Sequence, residues 1–464
     1  MKILTAIILL PIFWIFCTFS AKGYVNSKPE TNSRPVAVSD KLTSLSQISK
    51  TINVDKFGLK GDGITNDSYM LQQAINKLAK SGGGILKFSN KKYLINNVII
   101  PSCIQVIGDK TIIKSKDVFY TTTKVSSKKG SSIVEVHNAG GINVGDVLTI
   151  KYEVTDIVVV KSKKGNVLTI EPFRITYENA ATYKGLKYDQ PNGAIVGVRS
   201  QIFWITSGLK LGADRLDRKV FIGGVNDVIF DGITFVGSKL SNRYSYYNVF
   251  DLITSGALFF YRTSNAVVRN CQFYDFYSTP TVFYGWNTGL KYTGNKVENV
   301  GYVLPASVPI QEKDATSGIT LHWDQRFDRN DTELSKHIST KYILEGNSFL
   351  KCWNGGIFVS ATNSGIIRNN VINGFVSKGL SVYGGDLGIS TANISVESNI
   401  VMNGEKGNDG ENLGTGIWIS ISNGINVINN SINDCETGIV QQGAEKTQVS
   451  SNSISNCRNK ILNK

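Results

Sequence analysis

The phrases AVVRNCQF (266–273), YILEGNSF (342–349), GIIRNNVI (365–372), INVINNSI (425–432) and TQVSSNSI (447–454) repeat one pattern: a short apolar run, an asparagine, then a second short run. The asparagines of this column are Asn270, Asn295, Asn347, Asn370, Asn399, Asn430 and Asn452, spaced 25, 52, 23, 29, 31 and 22 residues apart. A fixed period of this size signals stacked supersecondary units that bury a common core, with the longer intervals carrying insertions. Asparagine suits a tight bend because it tolerates the left-handed backbone region. Side-chain amides stacked at one strand spacing can also hydrogen-bond along the column. The expected fold is all-β, a solenoid.

Upstream, residues 52–88 read INVDKFGLKGDGITNDSYMLQQAINKLAKSGGGILKF. Asp67 can cap a helix whose apolar positions Leu71, Ala74, Ile75 and Leu78 share one face, and Gly82, Gly83 and Gly84 end it. A solenoid needs its first strand edges covered, and this helix is the expected cover. The stretch resembles the N-terminal signature of the pectate-lyase-like superfamily, in which an FG-x-x-GDG phrase leads into a short helix and a Gly-rich turn. Phe57, Gly58, Gly61, Asp62, Gly63, Asp67, Gln73, Ala74 and Ile75 carry that resemblance. It implies a right-handed parallel β-helix, with Asp62 and Asp67 as turn and cap residues. It also implies a carbohydrate-active protein of the glycoside hydrolase family 28-like or polysaccharide lyase-like kind.

Residues 126–173 break the coil rhythm and alternate like antiparallel hairpins, with turns at NAGG (138–141) and KKGN (163–166). They predict a small β insertion over about 126–180, in which His137 is structural. Further interruptions fall at 238–254, 302–317, 326–340 and 403–415. Insertions in a solenoid become loops that often gather on the binding face.

The N-terminal residues argue for export. Residues 1–23 have one lysine, an apolar run and then small residues, as a secretory signal does, and residues 24–50 read as a flexible leader. No later segment is apolar enough to span a bilayer, so a secreted protein, extracellular or periplasmic, is expected. The formal charge is +14, and removing Lys2 and Lys22 with residues 1–23 leaves +12. That excess favours a polyanionic partner, here an acidic polysaccharide, and no nucleic-acid motif accompanies it. Five cysteines remain after Cys17, an odd number that argues against a disulfide framework. Cys435 and Cys457 hold the same place in consecutive coils, either as a bonded pair or as small buried residues. No spacing suits a metal, no cofactor is expected, and a monomer is.

Aligning the coils on their asparagines places ALFFYR (257–262), TVFYGW (281–286), ITLHWD (319–324), IFVSAT (357–362), LSVYGG (380–385) and IWISIS (417–422) in one column. With Ile319, Leu321 and Trp323 inward, Thr320, His322 and Asp324 face out. The same register turns out Phe260, Arg262, Tyr284, Trp286, Ser360, Tyr383 and Trp418. A sheet face this aromatic suits sugar rings, whose C–H faces are apolar and whose edges hydrogen-bond. His322 and Asp324 share a strand face bracketed by the polar segments 307–318 and 326–337. Glycoside hydrolysis needs an acid to protonate the leaving oxygen and a second carboxylate as base or nucleophile. Asp324 is the first candidate acid, Asp314 or Glu312 its partner, with His322 orienting substrate or tuning the acid. Asp251 and Asp275 rank below them. Arg262 and Arg326 suit carboxylate or sulfate groups, and Tyr284, Trp286, Tyr383 and Trp418 suit sugar rings. The strand 317–327 is also similar to the active strand of iota-carrageenases, with Asp324 at the first carboxylate and Arg326 in place of the second. The polygalacturonase motif set is absent.

The expected function is therefore an exported hydrolase of an acidic polysaccharide. The rivals are a lyase that abstracts a proton beside a uronate through His322, Tyr284 or a lysine, a non-catalytic glycan-binding or adhesive solenoid, and an epimerase.

Overall fold

The computed structural model describes residues 50–463 apart from 154, 174–183, 207–223, 239–254, 302–315, 323–337, 386–388 and 406–413. The signal and leader expected over 1–50 lie outside these residues but for Lys50. The chain is a right-handed parallel β-helix. Each coil contributes a strand to three parallel sheets, so a strand pairs with its counterpart one coil away rather than with its sequence neighbour. One sheet runs through Thr281–Tyr284, Ser317–His322, Gly355–Ser360, Lys378–Tyr383 and Thr415–Asn423. A second runs through Lys291–Thr293, Ser339–Glu345, Thr362–Arg368 and Thr391–Glu397. The third runs through Lys296–Val300, Ser348–Cys352, Val371–Phe375 and Ile400–Gly404.

Because side chains alternate along a strand, the in-register inward positions form continuous columns. Ile319, Ile357, Leu380 and Ile417 make one, and Leu321, Val359, Val382 and Ile419 another, all at most 1% exposed. Rings stack along the core in the same way, as in Phe260 on Phe283 at 4.3 Å and Phe235 on Phe273 at 5.1 Å.

The asparagine column is a ladder. The Oδ1 of Asn347 accepts from the backbone N–H and Nδ2 of Asn295 at 2.9 and 3.1 Å. Asn370 does the same for Asn347, Asn399 for Asn370, Asn430 for Asn399 and Asn452 for Asn430. Each buried Nδ2 also donates to a carbonyl, for example Asn370 to Leu344 O at 2.9 Å. Two corrections follow. The left-handed residue is the one before the ladder asparagine: Gly294, Gly346, Asn369, Ser398, Asn429 and Ser451 all have positive φ. Asn270 belongs to that set, with φ 54°. It is exposed and donates to Asp231 Oδ1 at 3.1 Å, while Cys271 occupies its coil's rung and donates its N–H to Asn295 Oδ1 at 2.9 Å. Asp231 lies within the strand Ile229–Val236, its carboxylate 2.8 Å from Arg269.

The cap helix is Ser68–Ala79, with Leu71, Ala74, Ile75 and Leu78 fully buried. Asp67 does not cap it through its side chain. The carboxylate instead accepts the N–H groups of Lys60 and Gly61 at 2.7 and 3.1 Å, tying the glycine loop to the helix start. Gln72 reaches the first strand of the first sheet, Val98–Ile100: its Oε1 accepts Ile99 N–H at 2.8 Å and its Nε2 donates to Ile99 O at 3.2 Å. The edge-facing N–H and C=O of Ile99 are thereby both satisfied by one side-chain amide.

The insertion is a six-stranded antiparallel sheet wider than 126–180. Its first and last strands along the chain, Tyr120–Thr122 and Ile195–Val198, pair with one another, Ile195 opposite Thr122. Lys164 pairs with Val167 across the expected KKGN turn, where Gly165 has φ 58°. It has its own core, including Val134, Leu148, Ile150, Leu168 and Val196, all at most 1% exposed. His137 is exposed, and its backbone N–H donates to Thr122 O.

Candidate functional site

The outward face of the first sheet carries the candidate residues. Tyr284 pairs with His322, Ser360 with Tyr383 and Tyr383 with Ser420, while Thr320, Phe358, Ser381 and Trp418 follow one another in the adjacent outward column. The expected register holds from Thr281 onward. It fails one coil earlier, where Leu258 pairs with Thr281, so Phe260 faces the core at 0% exposure and Tyr261 takes the outward place beside Tyr284. The long interval before this coil left its phase unset by the repeat.

Two ring clusters result. In the first, Tyr261 stacks on Tyr284 (6.1 Å), Tyr284 on His322 (5.8 Å) and His322 on Phe358 (6.3 Å), with interplanar angles of 17–27°. The Arg262 guanidinium sits 5.5 Å from the Tyr261 ring. In the second, Tyr383 stacks on Trp418 at 5.4 Å and 14°, and the Lys378 ammonium lies 4.2 Å from the centre of the Trp418 ring. Ser360 separates the two, its hydroxyl buried and without a hydrogen-bond partner among the described residues.

The face is less open than the sequence implies. Tyr284 and Trp418 are each 8% exposed, and Trp204, Phe259, Tyr261 and Val282 at most 1%. Phe173, at the end of the inserted strand Val167–Pro172, packs with Ile99 against this cluster, because uncovered rings of that area bury one another. Trp418 has Tyr383 over its ring and the Lys378 ammonium near it, so it supports the site rather than offering a platform. The half-buried side chains are His322, Phe358, Tyr383, Lys378, Arg262 and Trp286.

Period-two reasoning also ran past the strand ends. The strand Leu258–Tyr261 stops before Arg262, whose φ is 54°, and Thr281–Tyr284 stops before Gly285, whose φ is 75°. Arg262 and Trp286 are therefore corner residues and not continuations of the sheet face. Trp286 rests beside Gly224, where an added Cβ would lie 3.5 Å from the indole and 2.4 Å from Arg262 O, so only glycine fits there.

Asp324, Arg326, Asp314 and Glu312 lie outside the described residues, as do Asp251 and Trp323. None of the outward positions of the described strands in this sheet is an aspartate or glutamate. Asp275, the lower-ranked candidate, is a left-handed turn residue (φ 56°) hydrogen-bonded to Asn299 Nδ2. Sequence reasoning missed Phe358, Tyr261 and Lys378. Phe358 was legible, since it alternates with Ile357 in the correct register. Lys378 was not, because its place over Trp418 depends on pairing with a strand 37 residues later, where Lys378 meets Thr415.

A family model described as rhamnogalacturonase A/epimerase, pectate lyase-like, matches residues 51–302. No curated protein matches the chain in sequence. Among solved structures, the Streptococcus pneumoniae surface protein and adhesin PfbA is similar at 15% identity and a TM-score of 0.48, over 89% of this chain and all of that one. The tailspike of E. coli bacteriophage HK620, solved with a pentasaccharide, is similar at 10% identity and a TM-score of 0.46, over 87% of this chain and 60% of that one. The A-module of the Azotobacter vinelandii mannuronan C-5 epimerase AlgE4 is similar at 12% identity and a TM-score of 0.36, over 89% and 97%.

Proposed function

The chain belongs to the rhamnogalacturonase A/epimerase, pectate lyase-like family, and from that premise we propose that it is an exported hydrolase of an acidic polysaccharide. The observation that carries this reading is the outward face on which His322, Phe358 and Tyr383 are half-buried, with cationic Arg262 and Lys378 beside the rings. Flat apolar side chains suit the C–H faces of pyranose rings, and the cations suit carboxylate or sulfate groups. Asp324, two residues after His322, acts in this proposal as general acid, with Asp314 or Glu312 as the second carboxylate. His322 orients the substrate.

A second reading is favoured by one specific observation: among the described residues, the outward positions of this sheet carry rings and cations but no aspartate or glutamate. A glycan-binding solenoid needs nothing more. The lyase rival loses ground because Tyr284, one of its bases, is 8% exposed and sandwiched between Tyr261 and His322.

The deciding experiment incubates the protein with uronate-bearing, sulfated and neutral polysaccharides and follows reducing ends together with ultraviolet absorbance. Hydrolysis releases reducing ends without the absorbance of an unsaturated uronate, and Asp324→Asn lowers the rate about 10²-fold or more. Reducing ends accompanied by absorbance would establish the lyase instead. Retention on a polysaccharide with no product from any polymer would establish the binding reading.

A further inference from the structure

Cys435 and Cys457 occupy neighbouring rungs at the C-terminal end of the stack. The residues two before them, Asn433 and Ser455, are register partners in parallel strands. Each sulfur makes the same local contact: Cys435 Sγ donates to Asn433 O at 3.4 Å, and Cys457 Sγ to Ser455 O at 3.3 Å. Two residues in equivalent conformations on adjacent rungs have backbones about 4.8 Å apart, inside the window of roughly 4.4–6.8 Å between Cα atoms that a disulfide spans. Both are free thiols. Cys352, by contrast, has Val300 as its rung partner, and Cys271 sits against the ladder amide of Asn295.

The coil that carries Cys457 is thinly packed. Its strands Gln448–Ser450 and Ser453–Ser455 contain no buried residue, whereas each equivalent strand one coil earlier buries its central side chain. Side-chain ties to the preceding coil include the Asn430–Asn452 rung and the Arg458–Glu436 ion pair at 2.9 Å, whose arginine is largely exposed, which weakens the pair.

We propose that Cys435 and Cys457 are a redox-convertible pair whose two-electron oxidation joins the last two coils through a disulfide. With a low-molecular-weight disulfide as oxidant, the half-exposed Cys457 attacks as thiolate, forming a mixed disulfide and releasing one thiol of the oxidant. Cys435 then loses its proton and displaces the second thiol, forming the Cys435–Cys457 bond. Two protein thiols are oxidised, and one oxidant disulfide is reduced to two thiols. Burial pushes the Cys435 thiol up to about 12, so it acts second and slowly.

The test uses the full chain, reduced, freed of reductant and incubated with oxidised glutathione. It is then digested without reduction and mapped by mass spectrometry. The expected product is a Cys435–Cys457 peptide pair lacking two hydrogens, with two fewer thiols titrated in the unfolded protein. Oxidation also slows tryptic cleavage after Arg458 and Lys460, and reduction restores it. Cys435→Ser keeps a glutathione adduct on Cys457 that the parent protein discards; if that variant fails to fold, the parent map still decides. A lasting adduct on Cys457 in the parent chain, unchanged thiols, or a bond to a different cysteine overturns the proposal. Unchanged proteolysis on oxidation overturns the fastening role.

Discussion

Asn270 and Asn370 look alike in the sequence and differ in what they do. Asn370 is 1% exposed and serves both neighbours in the ladder, whereas Asn270 is a surface turn residue in the left-handed region. Asn370→Ala leaves Asn347 N–H, Asn347 Nδ2 and Leu344 O short of a partner inside the stack, a loss of about 3–9 kcal/mol at roughly 1–3 kcal/mol for each buried group. Asn270→Ala costs the strain of alanine at positive φ, about 1–2 kcal/mol, together with one solvent-exposed hydrogen bond to Asp231 Oδ1, whose loss leaves no buried group unpaired. Guanidinium denaturation of the two variants measures the difference, and equal losses would contradict the ladder. Asp62 provides a pH test at the same scale. The Thr65 hydroxyl and the N–H groups of Thr65 and Ile64 hold its carboxylate and lower its pKa from 3.8 to about 2. The native state thus favours the charged form. Its contribution is complete above about pH 4 and lost as pH falls through about 2. Asp62→Asn is expected to flatten that part of the acid-unfolding curve while leaving the curve above pH 5 parallel to the parent's, as followed by circular dichroism.

At the scale of the strand, the outward columns divide into rings that hold the sheet face together and rings that can meet a ligand. Tyr284 belongs to the first group. Tyr284→Ala removes a sandwiched ring and is expected to lower stability by about 3 kcal/mol or more. Tyr383 is assigned to the second by the proposed function: Tyr383→Ala is expected to weaken binding of an acidic polysaccharide by about tenfold, the worth of one ring contact of about 1.4 kcal/mol. Calorimetric titration beside thermal melts separates the two effects. A Tyr383 variant that loses stability but binds normally would remove Tyr383 from the site. The alternation behind these assignments was readable wherever a strand continued, and it placed His322, Ser360 and Tyr383 on one face. It went wrong at Phe260, where the coil phase was guessed, and beyond Tyr261 and Tyr284, where left-handed corner residues end the period of two.

For the whole molecule, charge and connectivity set the expectations. A formal charge of +14 favours polyanions over long range, and that attraction weakens as salt shortens the screening length from about 10 Å at 0.1 M to about 3 Å at 1 M. Retention on a sulfated or uronate polymer is therefore expected to fall steeply across this range, while any binding of a neutral glucan changes little. Affinity electrophoresis at graded salt reads this directly, and salt-independent retention would show that rings rather than charge dominate. Coils touch chiefly their neighbours, as the pairing of each strand with the next coil's counterpart shows. The cap helix protects one end of the stack through Leu71, Ile75, Leu78 and Gln72. No helix among the described residues is long and apolar enough to cross a membrane.

The order of residues alone fixes the repeat, the asparagine rungs from Asn295 to Asn452, the helix face of Leu71, Ala74, Ile75 and Leu78, and which residues alternate within a continuous strand. Those are consequences of local backbone geometry and of a pattern short enough to recur within one coil. Packing between coils settles the rest: Cys271 takes the rung beside Asn270, Phe260 turns inward, Asp67 binds the glycine loop, and Tyr284 and Trp418 are covered. Each of these depends on what lies one coil above, one coil below or across from the inserted sheet. A chain read in one dimension does not contain those contacts, because rung pairing and burial are made by residues distant in sequence.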